Sequence, residues 1–66
     1  QTVAKMIERL PLVQQEIVHL RFYEDLSFKE IAQVTNVSIN TALGRMRYAT
    51  LNLRKMIEDY SLDLAV

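Results

Sequence analysis

The 66-residue sequence has no cysteine and no tryptophan, and only one glycine, one proline and one histidine. Without thiols there is neither a disulfide framework nor a thiolate metal site, a composition that suits the cytoplasm. Scarce glycine and proline leave a sheet little to build its turns from, so an all-α fold is expected. No apolar run approaches the roughly 18 residues of a membrane span, and no signal peptide is visible, so no membrane partner is expected. Material for catalysis is also missing. The lone His19 falls with Leu12, Glu16 and Tyr23, off the apolar stripe of its helix, as a surface residue would. Glu24 and Asp25 are adjacent in a loop, whereas acid–base work needs carboxylates facing each other across a substrate. No cluster of metal ligands occurs. The expectation is a domain that is not an enzyme and takes no cofactor or metal.

A chain this short makes a single domain, residues 1–66, burying only roughly 60% of its unfolded surface. It opens on Gln1 rather than Met, as expected of a piece of a longer protein. Apolar spacing then marks out four helices. The first spans about Thr2 to Arg9, with Val3, Met6, Ile7 and Leu10 as its stripe. Leu10-Pro11 breaks it, and Pro11 suits the first turn of a second helix that runs to about Phe22 on Val13, Ile17 and Leu20. Tyr23 to Leu26 read as a short loop. A third helix covers about Phe28 to Val34, and a fourth runs from Ile39 to Ile57 or Tyr60. Residues 61–66 carry no turn chemistry and are expected to fray.

The informative stretch is 27–47. Ser27 and Glu30 have the S-x-x-E spacing of a capping box, which starts a helix at Phe28. Phe28, Ile31 and Val34 share its apolar face, and the small Ala32 suits a close helix crossing. Asn36 is, after glycine, the residue that best accepts the left-handed conformation of a helix end. Ser38 then caps the next helix. Two N-caps 11 residues apart around an asparagine turn describe a helix-turn-helix, whose second helix lies in the major groove of DNA.

Charge follows the same division. Net charge is zero, but residues 39–57 hold Arg45, Arg47, Arg54 and Lys55 and no acid, against −1 for residues 1–38 and −3 for residues 58–66. On any helix such a run is ordinarily a solvated face; behind two caps and a turn it marks a nucleic-acid surface. Ala42, Met46, Ala49, Leu53 and Met56 form the inner stripe of the fourth helix. Asn40, Leu43, Gly44, Arg47, Tyr48 and Thr50 form its outer side. A mid-helix glycine costs about 1 kcal/mol relative to alanine. Gly44 is therefore either simply tolerated or serves close approach of a base or sugar.

These residues resemble a known family. Leu10-Pro11, the LRFYEDLS run at 20–27, KEIA at 29–32, Ser38 and Thr41, and Arg45-x-Arg47-x-Ala49 leading to Leu53-Arg54 are similar to region 4 of bacterial RNA polymerase sigma factors of the sigma-70 family, nearest to the extracytoplasmic-function (ECF) group. The resemblance implies a small four-helix domain whose three-helix core is of the winged-helix-like or LuxR-like DNA-binding type. It implies a domain that reads the minus-thirty-five promoter element in double-stranded DNA and docks on the β flap of the RNA polymerase core, with an anti-sigma factor as a further partner. Carried across, the groove-facing residues are Leu43, Gly44, Arg47 and Tyr48, with Arg45 nearer the phosphates and Ser38, Asn40 and Thr41 at the helix start. Many relatives carry Lys or Arg at 43, Ser at 44 and Arg at 48, so this chain presents fewer charges. Leu43 offers a contact to a thymine methyl and Arg47 a bidentate contact to guanine. The N–H groups after Ser38 offer phosphate contacts.

A response-regulator output domain shares the helix-turn-helix and pairs through its last helix; the LRFYEDLS run and Arg-x-Arg-Tyr-Ala favour the sigma reading. A protein-interaction patch is the third reading. Phe22, Leu26 and Phe28 are expected to close the core, leaving Tyr23 as the exposed contact for polymerase or an anti-sigma factor.

Overall fold

A computed structural model describes the backbone of residues 2–65 and the side chains of residues 2–61. It contains four α-helices in chain order: α1 (Val3–Glu8), α2 (Leu12–Val18), α3 (Phe28–Thr35) and α4 (Ile39–Ala65). Among the described residues there is no strand. Thr2 starts α1 by accepting from the Lys5 N–H at 3.3 Å. Pro11 stands at the N-cap of α2, and its carbonyl accepts from the N–H groups of Gln14 and Gln15 at 2.9 and 3.0 Å. The Gln15 side chain ties the break together, donating to the Leu10 carbonyl at 2.7 Å and the Glu8 carbonyl at 3.0 Å.

α2 does not end as expected. It widens into a π-helical turn over His19–Tyr23. Glu24 N–H bonds the His19 carbonyl at 3.1 Å, and Leu26 N–H bonds the Leu20 carbonyl at 3.0 Å. Asp25 takes the left-handed conformation, φ 59°, to close it. Tyr23 thus belongs to the turn rather than to a loop. Arg21 spans the junction, donating to the Leu26 carbonyl at 3.0 Å with its guanidinium 5.2 Å from the Phe28 ring centroid.

The core joins all four helices. Leu10, Ile17, Val18, Ile31, Ala32, Ala42 and Ala49 are buried together, and Met46, Leu53 and Met56 pack against them as half-buried neighbours. Ala32, Ala42 and Ala49 are the small residues that let α4 cross closely over α2 and α3. Among the described residues one side-chain hydrogen bond joins α4 to α2, from Asn52 Nδ2 to Gln14 Oε1 at 2.7 Å. Three apolar residues assigned to buried faces lie outside. Val3, Val13 and Val34 are exposed. In a domain of this size each helix meets its neighbours along one narrow edge, and these valines project off it.

Phe22 also departs from expectation. It is 67% exposed rather than part of the core, while Leu26 and Phe28 are half-buried against it. Leu20, Leu26 and Phe28 fill this end of the core, so Phe22 is left beside it. At 27 residues α4 is about 40 Å long and dominates a molecule of 45 × 19 × 16 Å. It continues past Ile57 and Tyr60 to Ala65. Of the expected frayed tail over 61–66, the backbone of 61–65 is helical and Val66 lies outside the described residues.

Candidate nucleic-acid interface

α3 and α4 form a helix-turn-helix with capping groups in place at both ends of α3 and at the start of α4. The Ser27 hydroxyl accepts from the Glu30 N–H at 3.1 Å, and the Glu30 carboxylate accepts from the Ser27 N–H at 2.9 Å. That reciprocal pairing holds the Glu30 carboxyl below its usual value, through the bond from the Ser27 backbone first and its side chain second. At the other end Asn36 is left-handed, φ 57°. Its N–H bonds the Gln33 carbonyl at 3.3 Å, and the Val37 N–H bonds the Ala32 carbonyl at 3.0 Å. This pair of bonds is a Schellman closure, and the half-buried Val37 packs into the core beneath it. Thr35 ties its hydroxyl to the Ile31 carbonyl at 2.7 Å. The turn is therefore rigid, and it fixes the direction in which α4 leaves.

α4 begins at Ser38. The Ser38 hydroxyl accepts from the Thr41 N–H at 3.0 Å and donates to the Thr41 hydroxyl at 2.9 Å. Both hydroxyls are thus engaged with each other. The N–H groups of Ile39 and Asn40 have no partner among the described residues, and they lie where helix partial charges favour an anion.

The expected contact residues separate into groups. Asn40, Thr41 and Arg47 are exposed, Leu43 is 44% exposed and Tyr48 is 62% exposed, all on the outer side of α4. Gly44 lies among them, and a Cβ built there would meet nothing within 4 Å. No protein packing requires a glycine at this place. Arg45 is half-buried and lies about 160° around the helix from Arg47, on the flank rather than the outer face. Leu51 extends the outer row one turn beyond Arg47 at 45% exposure; its i, i+4 spacing from Arg47 was the signal for it in the sequence.

Tyr23 is exposed, as expected, and its ring stacks on His19 at 5.5 Å between centroids. His19 Nε2 lies 3.3 Å from Glu24 Oε1, so this histidine is a surface residue engaged in a local pair. The larger feature nearby is an apolar groove of about 360 Å³, walled by Phe22 on one side and by Met46, Leu53 and Ile57 of α4 on the other. Thr50, Arg54 and Glu58 complete its rim. Of the outer side of α4 as read from the sequence, Thr50 lines this groove, whereas Asn40, Leu43, Gly44, Arg47 and Tyr48 do not. Nothing in the sequence pattern separated Phe22, a groove wall, from Leu26 and Phe28, which pack on the core.

Among the described residues there is no group of side chains arranged to hold a metal ion, and no helix is long and apolar enough to cross a membrane. The family described as sigma-70, region 4, matches residues 1–46. The match ends at Met46, so Arg47 and Tyr48 lie beyond it. RNA polymerase sigma factor SigV of Bacillus subtilis (strain 168) is 38% identical over 50 residues, which cover 76% of this chain and 30% of that protein. The chain thus spans less than a third of the relative it matches. No solved structure matches it.

Proposed function

The chain belongs to the sigma-70 region 4 family, and from that premise we propose that it binds the minus-thirty-five element of promoter DNA and holds that DNA to RNA polymerase at initiation. The observation that carries the reading is the outer row of α4. It is exposed, free of acids from Ile39 to Ile57, and presented by a turn closed at both ends. In this reading α4 lies in the major groove. Arg47 reads a guanine edge, and Tyr48, Asn40 and Leu43 contact neighbouring bases. The free N–H groups of Ile39 and Asn40 take a phosphate, with Ser38 and Thr41 holding that first turn in shape. Arg45 serves the backbone from the flank.

Docking on the polymerase core, at the β flap, is assigned to the groove between Phe22 and the second half of α4, with Tyr23 at its side. None of Asn40, Leu43, Gly44, Arg47 and Tyr48 lines the groove, so DNA and protein can be held at once. The same apolar walls suit an anti-sigma factor, which would compete with the flap. A family of DNA-binding domains gives no basis for catalysis, and work inside the cytoplasm follows from the partners. The response-regulator alternative has no support from the family match.

The test is enrichment of a randomised duplex library by the chain, alone and with polymerase core. The expected result is one enriched element, recovered more strongly with core present. Recovery of no preferred sequence in either arm would contradict the proposal.

A further inference from the structure

Ile39, Leu43, Arg47 and Leu51 follow one another at i, i+4 intervals along α4, so one arginine stands in a row of apolar side chains. The three apolar members are 45%, 44% and 45% exposed, and nothing in the domain covers them further. Scattered exposed leucines need no explanation, but a row on the face turned to DNA does. Beside Leu43 the helix has no side chain at all. A Cβ at Gly44 would meet no protein atom, so the glycine, which costs helix stability, is not there for the fold.

Leucine is short compared with arginine, so it touches a base only where the helix sits deep in the groove. The bare backbone at Gly44 is what permits that depth. Of the base edges in the major groove, one group is apolar, the C5-methyl of thymine. Resting on the promoter reading above, we infer that Leu43, seated by Gly44, is a specificity-determining residue that recognises a thymine methyl next to the guanine read by Arg47. The four residues from Leu43 to Arg47 rise about 6 Å along α4, and base pairs are spaced about 3.4 Å apart, so the thymine lies within two base pairs of that guanine.

The experiment uses duplexes carrying the sequence recovered from the randomised library, with single thymines replaced by deoxyuridine. That exchange removes the methyl and leaves every hydrogen-bonding group in place. Wild-type chain is expected to lose about fourfold in affinity at one position within two base pairs of the guanine, the amount that corresponds to one buried methyl. Leu43→Ala should bind thymine and uracil duplexes equally. Gly44→Ala, whose added methyl has free space in the fold, should remain folded by circular dichroism, bind the thymine duplex several-fold more weakly, and show a reduced thymine–uracil ratio. Equal thymine–uracil ratios for wild type and Leu43→Ala at every position would overturn the inference while leaving the promoter reading intact. Failure of the library to yield any preferred sequence would overturn both.

Discussion

Arg47 stands exposed on α4 with no ion-pair partner among the described residues. It is the one charged member of the outer row. Arg47→Ala should therefore weaken binding to the preferred duplex by about 1–3 kcal/mol and relax selection at a single base pair. A gel-shift titration of matched and single-substituted duplexes reads both effects, and an unchanged profile would remove Arg47 from the reading face. Asp25 is one of two left-handed residues among those described. Its left-handed backbone suits glycine better, and its carboxylate sits at the C-terminal end of the π turn, where helix partial charges disfavour an anion. Asp25→Gly should raise stability by roughly 0.5–1 kcal/mol in urea unfolding. A loss of stability would show that Asp25 makes a contribution its conformation does not reveal. Two left-handed residues illustrate what residue type alone discloses. Asn36 was legible because asparagine after a capped helix points to such a turn, and Ser38 follows it as the next cap. Asp25 was hidden, because Glu24-Asp25 reads equally well as an ordinary solvated loop.

At the scale of elements, local chemistry decides where each helix starts, and tertiary packing decides how it ends. α3 is the clearest case. Its capping box should contribute roughly 1 kcal/mol, the amount Ser27→Ala is expected to cost in thermal or urea unfolding. Because the folded state holds the Glu30 carboxyl below its usual value, its contribution is fully present above the ordinary carboxylate range. It is lost as pH falls through that range to the lowered folded value. The stability of wild type should thus fall toward that of Glu30→Gln on acidification, the two profiles separating again as pH rises. A constant separation across the carboxylate range would show that the pairing seen between Ser27 and Glu30 does not persist in solution. The four helices and the helix-turn-helix were readable because caps, a proline break and 3.6-residue spacing agree along most of the chain. The π turn was not. No residue in His19–Tyr23 specifies the wider turn. The expectation that Phe22 closes the core failed for a related reason. Its neighbours Leu20, Leu26 and Phe28 already fill that end, and periodicity does not count available volume. The inner stripe of α4 succeeded because two of its members, Ala42 and Ala49, are fully buried where helices cross.

The whole molecule is neutral, small and elongated, and four of its eight cations lie in the acid-free run 39–57 of one helix. With the four cations of that run as the phosphate contacts, the salt dependence of DNA binding should be shallow, with a log–log slope no steeper than about −4. Affinity of the chain alone should be weak at physiological salt, and a nanomolar constant there would contradict this charge count. The division of labour follows from the same geometry. In the proposed function the outer row with one arginine is assigned the discrimination of sequence, and the groove beside Phe22 the hold on polymerase. Substituting Phe22→Ser should leave DNA selection unchanged while weakening association with polymerase core, because Phe22 is exposed on the groove wall and takes no part in the buried core. The central claim is that α4 reads promoter sequence through its outer row. Its most direct measurement is library enrichment by wild-type chain and by Arg47→Ala, run side by side. Wild type should enrich one element, and Arg47→Ala the same element with preference lost at a single guanine. Two identical motifs, or no enriched motif for the wild-type chain, would contradict it.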